Sequence, residues 1–238
     1  MAGGTSQDMD PANIVDVVAI DGPSGAGKST VARELAGRLG FSYLDTGAMY
    51  RAVTWHLLSR GLTDLRDEAT VLEQMVGLSL ELGRAGDVRL GGEDVSAHLR
   101  SHEVESQVST VSALAGVRAR MRQLQRQVAV AGPVVAEGRD MSSVVFPAAR
   151  WKIYLDANPD ERARRRRGDF EGQGRAVSQQ QVLEEIQVRD HLDSSRRDGP
   201  LTRTSDAFYI DTTGKSLAEV VALLAAHVGD QEADTEAS

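Results

Sequence analysis

The sequence predicts an α/β fold, a mostly parallel sheet flanked by helices, and three observations lead there. Short β-branched or apolar runs (IVDVVAI, GPVVAEG, RWKIYLDA, AFYIDTT) alternate with segments of helical period. Helix-start signals stand at several junctions, as in NPDE, SQQQ and SLAE. No segment recurs at a fixed period, which sets a solenoid aside. In sheets of this kind the sites lie beyond the carboxyl ends of the strands.

Taken in order, residues 1–13 (MAGGTSQDMDPAN) are small and polar and read as a tail. IVDVVAI is a strand, DGPSGAGK a glycine-rich loop, and STVARELAGRL a helix ending at Gly40. FSYLD is a short strand, followed by a helix through TGAMYRAVTWHLLSRG that Gly61 closes. A helical piece around Glu68 to Val76 leads into LSLELGR and DVRLGGEDV, two alternating segments about a Gly-containing turn, so this region reads as a β-bearing insert. Residues 103–131 read as helix, ending before Gly132 and Pro133.

GPVVAEGRD and RWKIYLDA are the next strands. In NPDE, Asn158 is a good N-cap, with Pro159 at the first helical position and Glu161 at the third. That helix carries the arginine run Arg164 to Arg167, and Gly168, Gly172 and Gly174 break it. Ser178 and Gln181 form a capping box that restarts a helix. AFYIDTT is the last strand, and SLAEVVALLAAHV is a helix capped by Ser216 with Glu219 three residues on. The end from Gly229 is an acidic tail.

With 238 residues, 41% of them hydrophobic, the chain suits one domain or one domain with an insert. A formal charge of -8 argues against a general polyanion binder. The absence of cysteine excludes disulfides and thiolate metal sites, and the cytoplasm is the expected location. No run approaches the roughly 18 apolar residues of a membrane span, and the N-terminus has neither the basic nor the apolar region of an export signal, so no membrane is expected as a partner.

Gly22, Gly27, Lys28 and Ser29 meet the pattern G-x-x-x-x-G-K-[ST], between a strand and a helix. The spacing matters because glycines let the main chain wrap a polyanion at a helix N-terminus, while the lysine reaches the outer phosphates and the hydroxyl helps hold Mg²⁺. The stretch Gly22, Pro23, Ser24, Gly25, Ala26, Gly27, Lys28, Ser29 and Thr30 is therefore the expected ATP-binding loop of a P-loop NTPase fold. A second GKS, Gly214 to Ser216, lacks the leading glycine and is read as a helix cap, with lining of the adenine pocket as the other reading. A GTPase is disfavoured, because neither asparagine, Asn13 nor Asn158, is followed by the lysine of a base-reading element.

IDGPSGAGKST, LDTGAMYR at 44–51 and AEGRDMSSVVFP at 136–147 together resemble the bacterial cytidylate kinases, from about Ile14 to Val228. The resemblance implies a P-loop kinase domain over 14–229, with an enlarged monophosphate-binding region at about 46–130, a short lid at about 160–190 and an acidic tail at 230–238. It implies Mg²⁺-dependent transfer of the ATP γ-phosphoryl group to CMP or dCMP, by a monomer with no nucleic-acid partner. Lys28 is then catalytic, together with Arg139 and Arg189. The lid places Arg162, Arg165 and Arg166, which share one helix face, on the transferring group, with Arg164 and Arg167 pointing elsewhere.

By similarity Thr46, Tyr50 and Arg51 face the monophosphate, with Arg51 on its phosphate; for Tyr50 the alternative is plain core packing. Asp140 is chosen to read the base, because a carboxylate accepts from the cytosine N4 donor where uracil presents an acceptor. The family pattern also puts Ser109, Arg118 and Arg139 around the base or phosphate. Arg189, Asp193 and Arg196 recur at i, i+4 and i+7, with Asp193 on the ribose; the alternative for this trio is a surface salt-bridge ladder. Ser29 is the metal ligand, with Glu137 acting through water. Many relatives show D-G-R-D followed by Gly-Thr where this chain has Glu137-Gly138-Arg139-Asp140 and then Met141-Ser142-Ser143. Two other readings stay open: a P-loop kinase acting on a metabolite hydroxyl, which would need a base, and a nucleic-acid binder using the arginine run.

Overall fold

The computed structural model describes residues 14–83, 87–172 and 174–236; residues 1–13, on which the expected N-terminal tail falls, and 84–86, on which the expected Gly-containing turn falls, lie outside the described residues. Five strands form one sheet: β1 (Val17–Asp21), β2 (Ser42–Asp45), β6 (Val134–Gly138), β7 (Trp151–Asp156) and β8 (Phe208–Asp211). Their order is β2-β6-β1-β7-β8, and each neighbouring pair is parallel. Burial on both faces explains why β1 and β6 read as continuous apolar runs rather than alternating ones.

Successive side chains still point to opposite faces. Val17 and Ala19 pack with Leu44, Val134 and Ala136 against α2 (Thr46–Ser59) and α5 (Ala115–Val130). Val18 and Ile20 pack with Val135, Ile153 and Leu155 against α1 (Lys28–Leu39) and α8 (Leu217–Glu236). The registers bring the carboxyl ends level: Asp45 lies opposite Glu137, Ile20 opposite Glu137, and Asp21 opposite Gly138 and Tyr154. Acidic side chains therefore line that edge.

Four local expectations change. DVRLGGEDV is itself a hairpin, β4 (Val88–Leu90) and β5 (Glu93–Asp94), which with β3 (Leu80–Leu82) makes a three-stranded antiparallel sheet. Gly91 and Gly92, with φ of 58° and 86°, supply the consecutive left-handed residues a two-residue hairpin loop needs. The 103–131 helix is two, α4 (His102–Ala113) and α5, broken at Leu114, whose backbone is extended. Leucine carries no capping signal; the Glu68 carboxylate, in α3 (Glu68–Gln74), accepts from the Gly116 N–H instead.

The helix α6 (Pro159–Gly172) passes through Gly168 rather than breaking there, and ends before Gly174 at φ 75°. Asn158 caps it as expected, its Oδ1 accepting from the Asp160 N–H at 2.9 Å. Helix α7 (Gln179–Ser195) starts with the anticipated Ser178 and Gln181 capping box. Ser216 and Glu219 cap α8 reciprocally, so the second GKS is a helix cap. That helix runs on to Glu236, so most of the acidic end continues it. Ala163, Phe170, Val182 and Ile186 form a small core of their own between α6 and α7. A unit with so few buried contacts belongs to the low-stability end of a fold, where lids are found.

Candidate active site

A cavity of about 620 Å³ opens at the carboxyl edge of the parallel sheet, between the phosphate loop, α2, α4, α5 and the α6–α7 pair. Its size suits a small-molecule ligand. The loop leaves β1 at Gly22, where any Cβ would lie 1.9 Å from the Leu155 carbonyl oxygen, so only glycine lets the chain pass β7 so closely. Lys28 begins α1, buried, with Nζ donating to the Pro23 carbonyl at 2.8 Å. Burial, reinforced by the Arg139 guanidinium, pulls its pKa down to about 7.

Ser29 Oγ donates to Glu137 Oε1 at 2.6 Å, and Thr46 Oγ1 donates to the Glu137 carbonyl at 2.7 Å. Asp45 caps α2 by accepting from Ala48 N–H at 2.7 Å and faces Arg51 at 3.3 Å. Burial and the neighbouring Asp45 raise the Glu137 carboxyl; Asp45 is buried too, yet Arg51 and the Ala48 N–H hold it below the usual range. Two acids on adjacent strand ends thus titrate as a pair, the proton favouring Glu137. An acidic pair beside the loop hydroxyl, all oxygen donors, fits a hard divalent cation.

On the far side Arg118, fully buried, donates to the Asp140 carboxylate and, through Nη1, to the Ser112 carbonyl at 3.3 Å and the Tyr50 hydroxyl at 3.5 Å. Tyr50 packs against the core and also lines the cavity. Burial lifts Asp140 to about 6 despite the Arg118 charge. The Asp140 turn is anchored by Asp21, which accepts from Met141 N–H at 2.7 Å, from Ser142 N–H at 2.8 Å and from the Ser142 hydroxyl.

Arg139 Nε donates to Asp193 Oδ2 at 2.8 Å, and Arg196 lies 3.4 Å from Asp193 Oδ1. Asp193 is buried and bonded across 54 residues, which is not the geometry of a surface ladder. Arg196 itself falls just past the end of α7, with its Nη2 donating to the Gly199 carbonyl at 3.1 Å.

The lid arginines divide differently from the sequence expectation. Arg165 reaches the Ala26 carbonyl, Thr212 Oγ1 and the Thr212 carbonyl at 2.8 to 3.2 Å, and it lines the cavity with Arg164 and Arg166. Arg162 is buried away from the cavity lining, its donors spent on the Ala157 carbonyl, the Ser24 carbonyl and Asp190. Arg164, expected to point elsewhere, lines the cavity while making a bidentate pair with Glu161. Arg167 pairs with Glu171 in the outward direction. Ser109 also departs: α4 turns Val108 and Ser112 toward the cavity, and Ser109 lines the adjoining cleft between α4 and α7.

Sequence reasoning passed over Asp190, Asp45, Asp21, Glu105 and Arg100. Asp190 Oδ1 accepts from the Ser24 N–H at 3.2 Å while its Oδ2 holds Arg162, whose Nη1 donates to the Ser24 carbonyl, so α6 and α7 together hold the Ser24 backbone. Its signal was its place beside Arg189 in QVRDHLD, which the i, i+4 count ignored. Asp45 was the visible N-cap of TGAMYR.

A sequence profile described as Cytidylate kinase matches residues 18–230. A cytidylate kinase of Solibacter usitatus is 48% identical over 206 residues, covering 86% of this chain and 88% of that protein. One of Pelotomaculum thermopropionicum is 46% identical over 215 residues, covering 89% and 95%. A bifunctional pantoate ligase/cytidylate kinase of Synechocystis is 47% identical over 211 residues, covering 86% of this chain, which spans only 41% of that longer protein. With the phosphate loop, Glu137 and the Arg118–Asp140 pair lining one cavity, and with these matches over most of its length, the chain belongs to the cytidylate kinase family.

Proposed function

We propose that the protein transfers the γ-phosphoryl group of ATP to CMP and dCMP, giving the diphosphates. The observation that carries the reading is the buried Arg118–Asp140 pair in the same cavity as the phosphate loop. A nucleoside monophosphate, with a second pKa of about 6, presents an ionised oxygen as nucleophile, so no general base is needed. Positioning and neutralisation of charge remain as the catalytic tasks.

Residues 22–30 cradle the ATP phosphates, and Lys28 turns from the Pro23 carbonyl to them, regaining its proton as negative charge arrives. Arg51, Arg139 and Arg189 take the CMP phosphate, with Thr46 and Tyr50 beside it. Asp140 accepts from N4 of cytosine, held in place by Arg118; Ser109 or its neighbour Ser112 borders the base. Asp193 and Arg196 face the ribose. Arg165 and Arg166 neutralise the transferring group from the lid, joined by Arg164, while Arg162 acts as a positioning residue through the Ser24 peptide. Ser29 and Glu137 would hold Mg²⁺, Glu137 through water; the ion supplies charge neutralisation to the phosphates.

The enzyme acts as a monomer in the cytoplasm; among the described residues no helix is long and apolar enough to cross a membrane. In this reading the kinase domain runs over 14–229, with the monophosphate-binding region at about 46–130 and the lid at about 160–190. A kinase for a metabolite hydroxyl would need a base, whereas the set of Arg51, Arg118, Arg139 and Arg189 in this cavity suits a dianionic nucleotide better than a neutral alcohol. With MgATP, kcat/KM for CMP and dCMP is expected to exceed that for UMP and AMP by at least about tenfold, as a specific hydrogen-bond partner for the base requires. Equal turnover of AMP, or none of CMP, rules the proposal out.

A further inference from the structure

One carboxylate sits among the arginines without a part in the reaction. Glu105 belongs to α4, on the insert side, yet its carboxylate pairs with Arg166 of α6 and lies 3.8 Å from Arg189 of α7. Its side chain is only 10% exposed and that of Arg166 15%, so the pair is well removed from solvent. Burial works against the ionised acid, but the guanidiniums of Arg166, Arg51, Arg189 and Arg100 outweigh it and keep Glu105 below the usual carboxylate range. All four of those arginines line the 620 Å³ cavity. Phe170 packs under the Arg166 guanidinium at 4.8 Å, fixing where the cation can reach.

Removing a carboxylate from water is costly unless partners offset it, so Glu105 is held in place by the two guanidiniums it meets, those of Arg166 and Arg189. The geometry matches what an incoming phosphate would do, an oxyanion held between guanidiniums of α6 and α7. We propose that Glu105 is an internal stand-in for substrate phosphate: its carboxylate positions Arg166 and Arg189 and docks the lid on the insert until the substrate phosphates take these arginines from it. The inference rests on assigning these arginines to phosphates. Glu105 is then a positioning residue that sets phosphate affinity, because arginines occupied by an internal anion are only fractionally available to an external one.

The test is isothermal titration of the full chain with inorganic phosphate and, separately, with CMP, comparing wild type with Glu105→Gln. Loss of the competitor should tighten phosphate binding about three- to tenfold, the range for release of one partly buried ion pair. A latch that merely stiffens the site predicts weaker binding on the same substitution. Unchanged or weaker phosphate binding therefore overturns the proposal. Glu105→Ala repeats the measurement with a different side chain in case the amide variant folds poorly. Glu171→Gln, which removes the partner of Arg167 on the same lid helix, controls for the general gain in positive charge; equal tightening there also overturns it. Phosphate that tightens in a protein binding no CMP would retain Glu105 as the stand-in and refute the nucleotide reading instead.

Discussion

Replacing Lys28 with methionine is expected to lower kcat about a hundred- to a thousandfold while leaving the free protein as stable as before or slightly more so. The loss follows from removing a preorganised cation at the transferring phosphates. The stability result follows from burial: the ammonium sits in a site that pulls its pKa down to about 7, so the folded state holds it at a cost that an isosteric apolar side chain avoids. Lys28→Arg should not restore activity, because a planar fork does not fill the space of a point charge packed on the Pro23 carbonyl. A companion measurement reads the same residue in the wild type. At pH 8 a lysine with pKa about 7 is about nine-tenths neutral, so ATP binding should take up roughly that fraction of a proton. Titration in two buffers of different ionisation heat measures it, and Lys28→Met should abolish it.

The second large effect is on base selection. Asp140→Asn keeps the shape of the acceptor and a hydrogen bond toward Arg118, but the amide can also donate, and a donor suits the O4 of uracil. The CMP-to-UMP ratio of kcat/KM should fall about a hundredfold, with the KM for ATP little changed. Asp140→Ala is a poorer probe, since it strands a buried guanidinium and costs about 3 to 5 kcal/mol of stability. The pH dependence carries a sign. Burial raises Asp140 to about 6, so the carboxylate is present above that pH and lost as pH falls through it. CMP affinity should decline in that direction, and the difference between wild type and Asp140→Asn removes the parallel titration of the phosphate itself.

The fold and the phosphate loop were readable because local rules govern them. The strand at Val17–Asp21, the glycine-to-helix step at Lys28 and the caps at Asn158, Ser178 and Ser216 each depend on residues within four positions. What the sequence hid is what distant residues decide. The break at Leu114 is stabilised by Glu68, which no local pattern announces. The lid arginines share a face by count, yet Arg162 is drawn under the loop by Asp190 while Arg164 borders the cavity, because the packing of α6 on the loop sets their environments rather than periodicity alone. Glu105 reads as one of two ordinary first-turn acids, beside Glu103, until the fold brings α6 and α7 against it.

The most direct test of the account is a crystal structure of the protein with CMP. N4 of the cytosine is expected within about 3.2 Å of an Asp140 carboxylate oxygen, with the phosphate on Arg51, Arg139 and Arg189. A base bound away from Asp140, or a phosphate held outside those arginines, would contradict it.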